Sequence, residues 1–103
     1  MSALVVAPEA EEDIFHIWLY LLREAGMETA NRIEGEILGA LASLAETPGK
    51  GHRRPDLTGR KILFYTLYQY MVVYRAGEPL EIVAVLHGKR NVKRLLGQRL
   101  PRG

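Results

Sequence analysis

Cysteine is absent from this 103-residue chain. No disulfide can brace the fold, and no thiolate can act as nucleophile or zinc ligand. That usage fits a reducing compartment. The three histidines, His16, His52 and His87, are scattered without ligand-like spacing, so neither a metal site nor a cofactor is expected. No apolar run approaches the roughly 18–20 residues that a membrane-spanning helix needs. The opening segment, Met1 to Ala7, lacks a basic n-region and runs straight into acids, so it does not read as a signal peptide. A cytoplasmic protein is expected, with no membrane role. Aromatic residues make up 8% of the chain. No recognition helix is visible, and no run interleaves aromatics with cations, so direct nucleic-acid binding is not expected.

What the chain does have is a split of charge. Residues 1–46 carry nine acids against two bases, a net of −7, whereas residues 47–103 carry twelve bases against three acids, a net of +9. The overall +2 conceals a basic C-terminal half. Such asymmetry speaks of an acidic or polyanionic partner rather than of fold. The length fits one domain over residues 1–103, and the 48% apolar content is that of an ordinary folded protein.

Leu4-Val5-Val6 predicts a short edge strand. Pro8 suits a first helical position, and Glu9, Glu11, Glu12 and Asp13 follow where the helix dipole favours acids. Ile14, Ile17, Trp18 and Leu21 recur at helical spacing, and Gly26 is a natural stop. A second helix is predicted from about Glu28 to Glu46, burying Ala30, Ile33, Ile37, Leu41 and Leu44. After Gly59 the period changes. Lys61–Tyr65, Gln69–Arg75 and Leu80–His87 predict three meander strands, with turns at 66–68 and 76–79. Ile82 to Leu86 is apolar without alternation, so both faces of that strand are expected to be covered. Residues 91–100 read as a short basic helix or tail. The expected fold is α+β, in the order β-α-α-β-β-β: an N-terminal β-strand and an antiparallel αα-hairpin packed on a small antiparallel sheet.

This order resembles the ParE-type toxins of the ParE/RelE toxin–antitoxin superfamily. The resemblance rests on Ala7-Pro8-Glu9-Ala10-Glu11-Glu12-Asp13-Ile14 and Ile17-Trp18 in the first helix, and on Leu44-Ala45-Glu46-Thr47-Pro48 with Gly51 after the second. Tyr70-Met71-Val72-Val73-Tyr74-Arg75 and Ile82-Val83-Ala84-Val85-Leu86-His87-Gly88-Lys89-Arg90 complete it. It implies a toxin of a type II toxin–antitoxin system, cytoplasmic and held as a hetero-oligomer by a cognate antitoxin. In the ParE branch it implies inhibition of DNA gyrase by binding, with no catalysis by the toxin. The RelE branch implies a ribosome-dependent mRNA endonuclease, and a third reading is a non-toxic antitoxin-binding adaptor of the same fold.

The nuclease reading needs a base and cations around a phosphate. His87 is the candidate base, with Arg75 and Arg90 as clamps. The RelE pattern favours more lysines and a C-terminal tyrosine, whereas here the last tyrosine is Tyr74. The binding reading selects Arg60, Lys61, Arg75, His87, Lys89 and Arg90 as a basic surface for target or antitoxin, expected to fringe one side of the sheet. A second candidate surface is a helix face for antitoxin or self-association. It comprises Phe15 and Leu19, outside the narrow apolar stripe of the first helix, and Gly35, Gly39 and Ala42, a smooth row on the second.

Overall fold

A computed structural model describes residues 3–100. The chain runs β1 (Leu4–Val6), α1 (Pro8–Ala25), α2 (Met27–Glu46), a 3-10 turn (Pro48–Lys50), β2 (Leu63–Leu67), β3 (Tyr70–Arg75), β4 (Leu80–His87) and α3 (Val92–Arg99). The fold is α+β, with both long helices ahead of the meander. The sheet order is β1-β4-β3-β2. The meander is antiparallel as expected, while β1 pairs parallel to β4, so the complete sheet is mixed. The parallel pairing is possible because the whole helical hairpin lies between β1 and the meander and supplies the long crossover.

One residue separates the helices. Gly26 sits at φ 94, ψ 168, a conformation closed to residues with a Cβ. Its N–H bonds the Leu21 and Leu22 carbonyls, and its own carbonyl accepts from Ala30 N–H. The same glycine therefore closes α1 and opens α2, which folds the two helices back to back.

Two apolar layers flank the sheet. On one face Ile14, Ile33, Ile37, Leu41 and Leu44 of the hairpin meet Tyr70, Val72, Tyr74, Leu80, Ile82 and Val85. On the other, Phe64, Met71, Val73 and Leu86 meet Val92, Leu96 and Leu100, with Leu57 at the edge. Successive residues of β3 point to alternate faces, and both faces are dry. That is why the strand reads as a continuous apolar run. In β4 the register slips. Val73 faces Ala84 while Tyr74 faces Ile82, leaving Val83 as an extra residue. Val83 and Ala84 both serve the second core, which is how a bulge redirects side chains.

Two expectations need correction. β2 begins at Leu63 rather than Lys61 and extends to Leu67, and the turn is Tyr68-Gln69 rather than residues 66–68. No glycine, asparagine or proline marks that turn, because Tyr68 itself takes φ 56. Of the two readings of residues 91–100, helix or tail, the helix is the one formed, over Val92–Arg99. Asn91 caps it by accepting Arg94 N–H at 3.1 Å, and Val92, Leu96 and Leu100 recur on its buried side.

Tyr74 is fully buried between the meander and the loop after α2. Its hydroxyl donates to the Pro48 carbonyl at 2.5 Å and accepts from Gly51 N–H at 2.9 Å. A Cβ on Gly51 would lie 2.7 Å from Tyr74 Cε1, so only glycine lets the loop approach this closely. Burial pushes the Tyr74 hydroxyl pKa above its ordinary value, and the Gly51 N–H partly offsets that.

Candidate partner-binding surfaces

The outer face of the hairpin is open. Phe15 is 53% exposed and Leu38 49% exposed. Gly35, Leu38, Gly39 and Ala42 follow the i, i+3, i+4, i+7 rule and all are exposed, so they form one stripe along α2. A side chain at Gly35 or Gly39 would meet nothing within 4 Å. Leu19, assigned to this face from the sequence, is only half-exposed. Leu38, not assigned, is the largest apolar group on the stripe. Its i+3 spacing from Gly35 was the available signal. Phe15 stacks on Trp18 with centroids 6.3 Å apart and planes 19° apart. Trp18 Nε1–H donates to Asn31 Oδ1 at 2.8 Å, which ties α1 to α2 beneath that aromatic pair.

The six basic-surface candidates do not come together. In β3 and β4, Arg75 faces Glu81 while Tyr70 faces His87. Arg75 and His87 therefore sit at opposite ends of strands roughly 20 Å long. Arg60 and Lys61 lead into β2, whose first residue Leu63 faces Tyr74, so they belong to the Arg75 end. There Arg75 is bonded to Glu81 at 2.6 Å, which neutralises part of that end. His87, Lys89 and Arg90 occupy the other end. The expected fringe along one side of the sheet is thus two separate clusters. The pairing of His87 with Arg75 around one phosphate is not available in this arrangement.

At the His87 end two grooves meet. One, of about 510 Å³, includes Arg54, Tyr68, Lys89, Arg90 and Lys93 along its walls, with Leu57, Met71 and Val92 beneath. The other, of about 430 Å³, lies between α1 and the sheet and is lined by His16, Tyr20, Tyr70, His87 and Arg90. His87 borders both. Its ring stands edge-on to Tyr70 at 5.7 Å, and its Nδ1 accepts Lys89 N–H at 3.1 Å. In the neutral ring the proton then resides on Nε2. Arg54 and Tyr68 were not assigned from the sequence. Arg54 stands only six positions before Arg60, but the loop carries it to the opposite end. It pairs with Asp56 at 2.8 and 2.9 Å, a bond that holds the Asp56 carboxyl below its usual range. Tyr68 O–H donates to Glu36 Oε1 at 2.6 Å, which raises the Tyr68 pKa.

A third feature escaped sequence reading altogether. Asp13 is buried, and its carboxylate takes both guanidinium nitrogens of Arg99 at 2.8 and 2.9 Å. The same carboxylate accepts Val85 N–H at 3.0 Å. β1 pairs with β4 only at Leu80, Glu81 and Ile82, so the edge of β4 beyond them would otherwise carry an unpaired donor. Asp13 fills that gap and ties α1, β4 and α3 together. The bond to Asp13 raises the Arg99 pKa, so the guanidinium is charged at any ordinary pH. Among the described residues, no group of three or more His, Asp or Glu side chains is placed to hold a metal ion. No helix of the described chain is long and apolar enough to cross a membrane.

Both the stripe and the grooves are open surfaces rather than enclosed cavities, carried on a small α+β fold. The family model for the ParE toxin of the type II toxin–antitoxin system parDE matches residues 4–92. The chain belongs to that family. It is 31% identical over 99 residues to Toxin ParE1 of Caulobacter vibrioides, covering 94% of this chain and 100% of that protein. It is 30% identical over 101 residues to Toxin ParE of Escherichia coli, covering 97% and 98% respectively. A chain of the chromosomal ParDE toxin–antitoxin system from P. aeruginosa has the same fold, with a TM-score of 0.73 at 20% identity, covering 84% of this chain and 96% of that one.

Proposed function

We propose that this chain arrests growth by binding DNA gyrase and is neutralised by a cognate antitoxin in a cytoplasmic hetero-oligomer. The observation that carries the proposal is the family match over residues 4–92. The division of surfaces supports it. The open stripe Gly35-Leu38-Gly39-Ala42, with Phe15 beside it, offers an apolar, low-relief track on which an antitoxin helix can lie. The cations Lys89, Arg90 and Lys93 at the His87 end have no carboxylate partner among the described residues and are free for the target. On this reading the toxin acts by contact, and its own side chains break no bond.

The test is a gyrase supercoiling assay with purified protein, run with and without ATP and with and without the antitoxin. Lost supercoiling with accumulated linear DNA, reversed by antitoxin, is the expected result. Folded protein that leaves gyrase untouched while cleaving mRNA on ribosomes would overturn the proposal.

A further inference from the structure

We propose that the groove between the Tyr68-Gln69 turn and the β4–α3 loop grips a single strand of DNA, through its phosphates and one stacked base. The choice of DNA over RNA rests on the gyrase reading above, because the target proposed there acts on DNA; the groove chemistry stands without it.

Three observations converge. First, the cations are uncompensated. No acid follows Glu81 in the sequence. Among the described residues Lys89, Arg90 and Lys93 have no carboxylate partner, in contrast to Arg32, Arg54, Arg75 and Arg99. Three free cations around one groove form the footprint of a phosphate chain, which gains affinity by releasing condensed counterions. Second, the groove is not purely polar. Leu57, Met71 and Val92 line it beneath the charges, and an apolar floor suits the face of an exposed base more than a carboxylate peptide. Third, an aromatic ring is fixed at the rim. Tyr68 is 55% exposed yet not loose, because its hydroxyl is held by Glu36. It also occupies the first loop position of a two-residue hairpin at φ 56, where glycine or asparagine is the relaxed choice. Strain of this kind at an exposed aromatic is what a ring kept for contact would show. The adjoining loop is locked against it, since Gly88 N–H donates to the Gln69 carbonyl at 2.8 Å. A rigid ring beside a cationic track is the pairing that single-strand binders use. A duplex, whose bases are already stacked, could use only the cations.

The test is fluorescence anisotropy with purified toxin and a labelled DNA single strand of about twelve nucleotides, at roughly 50 mM salt and then rising salt. Saturable binding is expected, with log affinity falling against log salt at a slope of about −2, the value for three neutralised phosphates on a single strand. Lys93→Glu should weaken binding about tenfold and flatten the slope. Arg23→Glu, with the same charge change on α1, should do neither. Tyr68→Asn suits the positive φ and so should fold; it should lower affinity about tenfold with the slope unchanged, the signature of lost stacking. No saturable binding up to about 100 µM protein would overturn the proposal, as would equal loss from Arg23→Glu. Tighter binding of an RNA strand of the same sequence, of the duplex, or of a polyglutamate peptide would also overturn it. Gyrase is absent from the assay, so failure here with supercoiling inhibition intact would leave the proposed function standing.

Discussion

Replacing Asp13 should destabilise this protein more than any other single change to a charged residue. Asp13→Ala removes three acceptor contacts at once. Val85 N–H is left buried without a partner, which costs about 1–3 kcal/mol. Arg99, with 19% of its side chain exposed, is left as a half-buried cation. Breaking a buried ion pair from one side costs about 3–5 kcal/mol, a figure that overlaps the first. Arg99 lies in the last turn of α3 and can swing partly into water, so the lower end applies. The sum is about 3 kcal/mol. Helix propensity works the other way, since alanine is about 0.5 kcal/mol better than aspartate within a helix, so any loss is tertiary in origin. With a urea m-value of roughly 1.5 kcal/mol/M, the unfolding midpoint should fall by about 2 M. Arg99→Met keeps the aliphatic stem and should cost about 2 kcal/mol. The double variant should be better by about 1–2 kcal/mol than the two single losses combined, because the second change removes a charge the first has stranded. Urea denaturation of the four proteins, followed by circular dichroism, measures the cycle. A loss below about 1 kcal/mol for Asp13→Ala, or strict additivity, would refute the reasoning.

Tyr74→Phe should cost about 1–2 kcal/mol in thermal or urea unfolding, since Gly51 N–H and the Pro48 carbonyl lose their shared partner. Gly51→Ala should cost more than Tyr74→Phe, because the new Cβ collides with a ring that cannot retreat. Burial raises the folded-state pKa of Tyr70 and Tyr74 above 10.0, so both stay neutral in the native protein while the unfolded chain ionises. Their contribution is therefore fully present below about pH 10 and is lost as pH rises from there through the folded-state values. An alkaline series of melting curves should fall for the parent protein and fall less steeply for Tyr74→Phe. Gly39→Leu should raise stability by about 1 kcal/mol, because the site is open and glycine is the poorer helix former. It should also weaken antitoxin affinity tenfold or more by calorimetry; unchanged affinity would remove α2 from the proposed interface.

The elements were legible because their signals were local. Helix stripes, the Gly26 break and the apolar strands follow from period and backbone permission alone. What escaped the sequence depended on pairs far apart in the chain. Asp13 read as one more acid in a helix's early turns, when its partners are Val85 and Arg99. The β2–β3 turn was misplaced because turn residues normally announce themselves as glycine, asparagine or proline, and here a tyrosine takes the positive φ. The basic surface was misassembled for a related reason. Spacing along the chain joins Arg54 to Arg60, but strand register sends them to opposite ends of the sheet. Aromatic and basic residues interleave at the His87 end only in space, with Tyr68 and Arg54 brought to Lys89 and Lys93 by two separate loops.

The two-sided core limits where function can reside. Both faces of the sheet are covered, one by the hairpin and one by α3 with Leu57, so neither can serve as a platform for a partner. Contacts must use the outer helix surface or the strand ends. The ends are not equivalent. At the Arg75 end Arg75 is bound to Glu81, and a partner that uses Arg75 must first break that pair at a cost in desolvation. At the other end Lys89, Arg90 and Lys93 carry no such debt. The charge split in the sequence thus becomes two surfaces of different character: a stripe on the hairpin, apolar in an acidic surround, and a cationic corner beyond His87. Under the proposed function, an antitoxin has two routes by which to silence this chain. It can cover the corner directly, or it can occupy the stripe and block the corner by its bulk. Gly39→Leu and Lys93→Glu separate them. If occlusion is direct, Lys93→Glu weakens antitoxin binding as well as target contact; if it is by bulk, the antitoxin binds the Lys93→Glu protein with unchanged affinity.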